Sequence, residues 1–256
     1  MSNFGGYASY YDLLYRDKDY RGEATFVREI LSKYCTTLNT VIELGCGTGL
    51  HAKFLAEDGL EVHGVDLSDE MLNTARERLT SLPAEVSKRL HFSQGDIRSI
   101  RLNERADAVV SLFHVISYQT TNKDLLDAFM TAKEHLNKGG IFLFDVWYGP
   151  AVLRNFPQTR VKRLEDENVV VTRLAEPLAN PNDNIVDVHY QVFIKRKADG
   201  AVEEIREVHP MRYLFRPELE AIARQAGLEI VDAFEWLTKK APGFDTWGVC
   251  FVGRSK

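Results

Sequence analysis

A glycine-rich segment near position 45 has the composition of a turn that brings the backbone close to a bound ligand. The run ELGCGTG at residues 43–49 follows a short apolar segment and precedes a segment with helical periodicity. Glycines allow a tight turn and place no side chain between the backbone and a ligand. The helix that begins near Leu50 offers unpaired N–H groups at its start. This context predicts a nucleotide-like ligand at the end of a strand.

Two aspartates follow the next predicted strands and have the chemistry to bind a nucleoside. Asp66 ends the apolar run at 61–65 and can accept hydrogen bonds from both ribose hydroxyls. Asp96 lies in the run QGDI at 94–97, where it can accept from an adenine amino group while the Ile97 N–H donates to the ring. Glu43 would repel a pyrophosphate and suits a cationic or zwitterionic ligand. Because strand ends meet at one edge of an open α/β sheet, these groups are expected to form one site.

Strands separated by helices predict how these residues are positioned. The pattern is typical of βαβ units and predicts an α/β fold with a Rossmann-like, doubly wound, mostly parallel seven-stranded sheet. Strands are expected at 40–44, 61–65, 90–93, 108–112, 141–144, 228–236 and 246–252, and helices at 5–16, 21–34, 50–58, 122–137 and 216–226. Ser68 is predicted to cap the helix after the second strand.

The helix–strand rhythm stops after Pro150. Alternating apolar residues from Val186 to Ile194, and turn signals at Asn180-Pro181 and Asp199-Gly200, predict an inserted small antiparallel β sheet after strand five. The expected organisation is an N-terminal helical cap at 1–36, a core at 37–150 and 214–256, and the insertion at 151–213. An insertion of this length is expected to act as a lid, a substrate-binding surface or a homodimer contact.

Composition excludes several classes of protein. The 256 residues carry 32 basic and 37 acidic side chains, and the net charge of -5 disfavours nucleic acid as a partner. No apolar run approaches the length of a membrane span, and no signal peptide is recognisable. The isolated cysteines Cys35, Cys46 and Cys250 lack the spacing of a disulfide framework or zinc site. A cytoplasmic protein without membrane or nucleic-acid partners and without a metal site is expected.

Four short runs together resemble class I S-adenosylmethionine-dependent methyltransferases. They are ELGCGTG at 43–49, GVDLS at 64–68, GDI at 95–97 and LNKGG at 136–140, and the resemblance covers about 38–150 and 216–254. It implies S-adenosyl-L-methionine as cofactor, with glycines at the methionine end, Asp66 at the ribose and Asp96 with Ile97 at the adenine. The predicted cofactor-binding residues are Tyr20, Glu43, Gly45, Cys46, Gly47, Gly49, Asp66, Leu67, Met71, Asp96, Ile97 and Phe113.

The N-terminal run YYDL at 10–13, followed by KDY at 18–20, is similar to amino-sugar N-methyltransferases acting on nucleotide-linked sugars. The insertion after strand five is similar as well. The resemblance implies that Tyr11 lies over the methyl donor and Tyr20 near the amino-acid end of the cofactor. The chain departs from that family after strand four, where Tyr118 stands in place of a histidine and His114 lies four residues earlier.

Methyl transfer from a sulfonium needs an aligned nucleophile, and an amine must lose a proton before attack. His114 is the first candidate for the proton acceptor, Tyr118 the second, and Tyr11 completes the predicted catalytic set. Trp147, Tyr148 and His209 are predicted substrate contacts, although each is also compatible with packing alone. Arg154, Arg160 and Arg163 are candidate diphosphate ligands or solvated surface residues.

The leading hypothesis is a small-molecule methyltransferase whose acceptor is an amine, such as an amino sugar on a nucleotide. The alternatives are a small-molecule O-methyltransferase and a non-catalytic S-adenosylmethionine-binding module. A nucleic-acid methyltransferase is disfavoured by the acidic charge and by the sequence SLFH at 111–114. A nucleotide-dependent oxidoreductase is disfavoured because Leu50 occupies the third-glycine position of the dinucleotide motif.

Overall fold

A computed structural model describes residues 8–256 of the chain. Residues 5–7, the predicted start of the first helix, lie outside the described residues. The helices are α1 (Ala8–Leu14), α2 (Tyr20–Tyr34), α3 (Leu50–Glu57), α4 (Asp69–Leu79), α5 (Ala84–Ser87), α6 (Asn122–Glu134), α7 (Gly149–Arg154) and α8 (Arg216–Gln225), with a 3-10 helix at Val115–Tyr118. The strands are β1 (Thr40–Leu44), β2 (Glu61–Asp66), β3 (Leu90–Gln94), β4 (Ala106–Ser111), β5 (Leu136–Tyr148), β6 (Arg160–Glu165), β7 (Val169–Asn180), β8 (Ile185–Arg196), β9 (Val202–Leu214), β10 (Leu228–Glu235) and β11 (Gly248–Ser255).

The central sheet has the strand order β3-β2-β1-β4-β5-β11-β10. The strands β1 to β5 pair in parallel, and β11 runs antiparallel between β5 and β10. This arrangement confirms the predicted Rossmann-like, mostly parallel seven-stranded sheet. From β1 the chain continues to β2 and β3 on one side of the sheet, and then to β4 and β5 on the other side. The crevice in which such sheets bind ligands therefore lies at the ends of β1 and β4.

Helices cover both faces of this sheet because each has one apolar face. One buried cluster joins α6 and α8 to the sheet through residues such as Phe129, Phe144 and Leu219. The other joins α2 and α3 through residues such as Val27 and Leu55. The apolar clusters therefore hold the strand ends rigidly at one edge.

Two helices begin at capping side chains, one of them predicted. The Ser68 hydroxyl accepts a hydrogen bond from the Met71 N–H at 3.2 Å and caps α4, as expected. At the start of α2, the Asp19 carboxylate accepts from the Gly22 N–H at 2.8 Å, a cap that was not predicted. Each cap pairs an N–H group that has no partner within its own helix.

The boundary between α6 and β5 differs from the prediction. The helix predicted for 122–137 ends at Glu134, and the strand predicted for 141–144 spans Leu136–Tyr148. Leu136 is fully buried and pairs with Ala106 of β4, whereas its spacing also fits the apolar face of α6. An apolar residue at position 136 fits both the buried face of a helix and a buried strand. Pairing with β4 determines that this residue is in a strand.

The predicted insertion is a four-stranded antiparallel sheet of β6 to β9. Its covered face includes Val186, Val188, Val192 and Ile194, as the alternation predicts. The sheet is continuous with the core because β9 pairs in parallel with the end of β5, at Trp147–Tyr213 and Tyr148–Leu214. This junction brings β9 to the edge where the central strands end.

Candidate active site

A cavity of about 590 Å³ lies at the carboxyl edge of the parallel strands. Its wall is formed by the segments that follow β1, β2, β3 and β4 and by Trp147 of β5. Helix α1 and strand β9 complete it, so the N-terminal helices and the insertion both face the same cavity. The edge predicted from the motif therefore contains a space large enough for a nucleoside and a second small molecule.

The glycine loop after β1 adopts a backbone that favours glycine. Gly45, Gly47 and Gly49 have φ angles of 80°, 54° and 72°. A Cβ added to Gly45 would lie 2.6 Å from Val115, and one on Gly49 would lie 2.8 Å from Phe92. At Gly47, which lines the cavity, an added Cβ meets no described protein atom within 4 Å. The missing side chain of Gly47 thus leaves room for a ligand, while the other two glycines allow close packing.

Asp66 lies at the end of β2 and holds the glycine loop. Its Oδ2 accepts a hydrogen bond from the Gly47 N–H at 2.8 Å, and its Oδ1 accepts from the Ser68 N–H at 2.9 Å. Burial raises the pKa of Asp66, and these backbone hydrogen bonds oppose that rise. Each oxygen has a further lone pair, so the carboxylate can also bind ligand hydroxyls in the cavity.

Glu43, the last residue but one of β1, is a buried carboxyl beside the loop. It is 1% exposed, and its Oε2 has no hydrogen-bond partner among the described residues. Burial, with the negative charge of Asp66, raises the pKa of Glu43 to about 8. A cationic ligand near this carboxyl would compensate for that unfavourable ionisation.

A charged cluster formed by Lys18, which precedes α2, with Glu23 of α2 and His51 of α3 lies next to Glu43. The Lys18 ammonium contacts the Glu23 carboxylate and lies 4.1 Å from the Tyr20 ring centroid and 4.4 Å from that of Phe113. His51 Nε2 lies 2.7 Å from Glu23 Oε2. Burial lowers the pKa of Lys18. His51 was not a predicted site residue, and it lines the cavity directly after the glycine loop.

Substitution of Glu43 by glutamine is expected to change how stability depends on pH. Because the pKa of Glu43 is about 8 in the folded protein and 4.5 in the ordinary carboxyl, only the folded chain retains this proton between those values. The wild-type free energy of unfolding therefore has a component that falls by about 1.4 kcal/mol per pH unit across this window. Glu43→Gln lacks that component, as urea unfolding at pH 5 and pH 8 would show.

The matched control is Glu77→Gln, which neutralises an exposed glutamate of α4. The control is expected to follow the wild-type pH dependence. Identical pH dependences for Glu43→Gln and the wild type would contradict the assignment of a raised pKa to Glu43.

The segment after β3 forms the part of the wall predicted to hold adenine. Asp96 accepts hydrogen bonds from the Arg98 guanidinium at both oxygens, with Nε–O distances of 2.9 and 3.0 Å. These hydrogen bonds lower the pKa of Asp96. Ile97 and Met71 are buried, whereas Leu67 is 53% exposed, and all three line the cavity. Arg98 was not among the predicted site residues, and it fixes the orientation of the Asp96 carboxylate.

The segment after β4 is strained where it enters the cavity. Phe113 and His114 have φ angles of 64° and 65°, a region that costs energy for residues with a side chain. His114 Nδ1 lies 2.6 Å from Oδ2 of Asp145, and the backbone N–H of His114 donates to the same carboxylate. Asp145 is 1% exposed. The strained turn thus holds an imidazole at the cavity wall against a buried carboxylate.

The insertion contributes His209 to the same region. The Tyr118 hydroxyl lies 2.8 Å from His209 Nδ1, and His209 Nε2 lies 3.0 Å from Glu207 Oε2. Trp147 lines the cavity, whereas Tyr148 packs against the apolar cluster of α6 and α8. Tyr15 and Tyr190, which were not predicted, add to the aromatic wall.

The cavity brings together most of the predicted site residues. Those that line it are Tyr11, Tyr20, Gly45, Cys46, Gly47, Asp66, Leu67, Met71, Asp96, Ile97, Phe113, His114, Tyr118, Trp147 and His209. Three predicted site residues do not line the cavity; they are Glu43, Gly49 and Tyr148.

The residues of the wall fit S-adenosylmethionine. The open space at Gly47 admits a ligand against the backbone, and the buried Glu43 carboxyl suits the positive charge of a sulfonium amino acid. Asp66 and the Asp96–Ile97 segment provide the acceptors and the donor that a ribose and an adenine require. The Asp66 carboxylate beside the glycine loop would repel the phosphates of a dinucleotide.

Comparison with known proteins agrees with this fit. A family model described as a methyltransferase domain matches residues 41–140. A dTDP-3-amino-3,4,6-trideoxy-alpha-D-glucopyranose N,N-dimethyltransferase of Streptomyces venezuelae is 30% identical over 232 residues, which cover 88% of this chain and 90% of that protein. The chain belongs to the class I S-adenosylmethionine-dependent methyltransferases. It is thus an enzyme that uses S-adenosyl-L-methionine as its methyl donor, as the motifs imply.

Solved structures are similar over nearly the whole methyltransferase. The crystal structure of Streptomyces venezuelae DesVI has a TM-score of 0.80 and 26% identity, with 98% of each chain covered. The sugar N-methyltransferase KedS8 from Streptoalloteichus sp ATCC 53650 has a TM-score of 0.78 and 25% identity, with 96% of this chain and 92% of that chain covered. The similarity therefore includes the insertion as well as the central sheet.

Neither a metal-binding cluster nor a membrane-spanning helix is found within the described part of the chain. Within residues 8–256, no group of three or more histidine, cysteine or acidic side chains is arranged to hold a metal ion. In the same range, no helix combines the length and the apolar character needed to cross a membrane.

Proposed function

We propose that this methyltransferase acts on the amino group of a sugar linked to a nucleotide. The observation that carries the proposal is that His114 and Tyr118, which could orient and deprotonate an amine, line the cavity beside their buried partners Asp145 and His209. An amine needs such a group because its lone pair is protonated at neutral pH. The printed substrate of the Streptomyces venezuelae relative, a dTDP-linked amino sugar, supports this acceptor class.

In the proposed mechanism the residues after β1, β2 and β3 hold the methyl donor. Bound S-adenosylmethionine supplies an electrophilic methyl group on sulfur. Gly47, Asp66 and the Asp96–Ile97 segment would bind the donor, and Tyr11 and Phe113 would exclude water beside the reacting centre. His114, oriented by Asp145, would hold the acceptor nitrogen in line. The main contribution of the protein is thus alignment, together with removal of one proton.

Basic and aromatic side chains of the insertion support a nucleotide-linked acceptor. Arg160 of β6 lines the cavity, and the Arg173 guanidinium of β7 lies 5.7 Å from the Tyr15 ring centroid and 5.1 Å from that of Tyr190. Guanidinium groups bind diphosphates well, and tyrosine rings can stack on a sugar or base. Of the other predicted arginines, Arg154 pairs with Asp245 instead.

A matched set of acceptors tests this proposal. A nucleoside-diphosphate-linked amino sugar, its analogue with a hydroxyl in place of the amine, and the unlinked amino sugar would each be incubated with labelled methyl donor. We expect turnover with the linked amino sugar, at least about 100-fold lower kcat/KM without the nucleotide, and no turnover with the hydroxyl analogue. Methylation of the hydroxyl analogue alone would indicate an O-methyltransferase. Binding of S-adenosylhomocysteine without turnover of any acceptor would favour a non-catalytic module.

We also propose that the enzyme works in the cytoplasm. Its three cysteines form no disulfide bond, which supports a reducing compartment.

We further propose that the insertion forms a homodimer contact. Exposed apolar side chains on β6, β7 and β9 support this proposal; they are Val161, Leu178 and Val202. Light scattering after size-exclusion chromatography should give twice the chain mass, and Leu178→Asp should give the mass of one chain. A monomeric wild type would contradict the dimer.

A further inference from the structure

We propose that Tyr118, His209 and Glu207 form a proton relay from the acceptor amine to the protein surface; this inference rests on the proposed function. The Tyr118 hydroxyl donates to His209 Nδ1 at 2.8 Å, and the His209 Nε2–H donates to Glu207 Oε2 at 3.0 Å. The tautomer follows from the partners, because an ionised carboxylate can only accept a hydrogen bond. Nε2 therefore carries the hydrogen of the neutral ring, and Nδ1 is the acceptor.

The relay connects the cavity with the outside of the protein. Tyr118 and His209 line the cavity, and His209 is 1% exposed. The Glu207 side chain is 12% exposed, whereas that of His209 is 2% exposed. Residues of three elements, the 3-10 helix, β8 and β9, enclose the imidazole, which contacts the Tyr118 and Tyr190 rings edge-on with centroid distances of 5.8 and 4.8 Å.

The charges around His209 favour this direction of proton movement. Tyr118 faces it from the 3-10 helix, Tyr190 from β8 and Glu207 from its own strand, and Arg173 of β7 lies over the Tyr190 ring. Burial raises the pKa of Tyr118 well above the ordinary value and that of Tyr190 to about 12, so both phenols are neutral. Glu207 is thus the negative charge that would stabilise an imidazolium at His209.

The proposed transfer is balanced at each atom. A proton leaves the ammonium nitrogen of the acceptor and forms a bond to the Tyr118 oxygen, while the nitrogen keeps the electron pair. The hydrogen of the Tyr118 phenol moves to His209 Nδ1, which leaves a neutral phenol and an imidazolium. The imidazolium then releases its Nε2 hydrogen through Glu207 to solvent, which leaves the Nδ1–H tautomer. Loss of the Nδ1 hydrogen to water and uptake of a proton from water at Nε2 restore the starting tautomer before the next turnover. No oxidant, reductant or further reactant is needed.

His114 is held by a different set of contacts. Its Nδ1 lies against Asp145, which is 1% exposed and receives the backbone N–H of His114 itself. The described polar contacts of His114 thus end at Asp145, whereas Tyr118 is linked through His209 to Glu207. We accordingly assign the orientation of the amine to His114 and its deprotonation to Tyr118. Glu207 acts through His209 and is a positioning residue.

Kinetics as a function of pH test the relay on the intact enzyme. Tyr118→Phe is expected to lower kcat for an amino-sugar acceptor about 100-fold at pH 7, and the loss should shrink as rising pH deprotonates the free amine. In Glu207→Gln the acidic limb of the kcat profile should move about one unit to lower pH, because the imidazolium loses its counter-charge. Glu203→Gln, an exposed change on the same strand, is the matched control and should reproduce the wild-type profile.

Nuclear magnetic resonance supplies a readout that does not depend on turnover. In protein with nitrogen-15-labelled histidine, His209 should show the Nε2–H tautomer, and its signals would be assigned by their loss in His209→Gln. Glu207→Gln should change these signals, and Glu203→Gln should not. An Nδ1–H tautomer, or pH profiles of Glu207→Gln and Tyr118→Phe parallel to the wild type, would overturn the relay. A wild type that methylates no amine would instead overturn the proposed function.

Discussion

Replacing Asp66 by alanine is expected to weaken binding of S-adenosylhomocysteine by more than about 100-fold. The carboxylate accepts the Gly47 and Ser68 N–H groups at 2.8 and 2.9 Å, and in the proposed mechanism it would also accept two ribose hydroxyls. Hydrogen bonds to a charged group contribute about 1.5–3 kcal/mol each, and about 1.4 kcal/mol corresponds to a tenfold change in affinity. Isothermal titration calorimetry measures this loss directly.

The matched control for this change is Asp69→Ala, which removes a neighbouring aspartate whose side chain is 55% exposed and pairs with Arg76. The control should bind S-adenosylhomocysteine as the wild type does. Thermal unfolding would establish that both variants are folded. Wild-type affinity in a folded Asp66→Ala protein would remove Asp66 from the binding site.

A single methyl group at Gly47 is expected to block the same ligand while leaving the fold intact. A Cβ at this position meets no described protein atom within 4 Å and projects where the residue lines the cavity. Gly47→Ala should therefore reduce the affinity for S-adenosylhomocysteine at least about 30-fold, through a clash of about 2 kcal/mol with the ligand. Its melting temperature should fall only slightly.

Gly200→Ala is the control that distinguishes a steric clash with the ligand from the effect of backbone strain. Gly200 lies in the turn between β8 and β9 with a φ of 71°, and an added Cβ there also meets no described atom within 4 Å. Both variants place alanine in the left-handed region, which costs about 1 kcal/mol. Equal losses of stability but unequal losses of affinity are expected. Equal affinities would mean that the open space at Gly47 does not receive the ligand.

Local sequence patterns predicted correctly those features that depend on residues close together in the chain. The strand Thr40–Leu44, the Ser68 cap and the turn at Gly200 are observed as predicted. The end of α6 was misplaced because Leu136 satisfies the apolar spacing of a helix and of a strand equally well. Pairing with β4 removes that ambiguity, and no local pattern encodes this pairing.

Some features of the candidate site could likewise be predicted from the sequence, and others could not. The glycine loop, Asp66 and Asp96 each follow a strand, so their convergence at one sheet edge is predictable from chain order. The partner of His114 lies 31 residues away, that of His51 lies 28 away and that of Tyr118 lies 91 away. These pairs join elements that meet only after folding, and their geometry could not be inferred from spacing.

The amino-acid sequence by itself determined the doubly wound sheet, the sheet edge at which the cavity lies and the existence of an antiparallel insertion, because periodicity, capping and glycine conformations are properties of short segments. The tertiary structure alone decided that His209 and Glu207 of the insertion face Tyr118 and that Asp145 lies against His114. Side chains distant in the chain are brought together by burial of the apolar faces of the sheets and helices, which is a property of the whole fold.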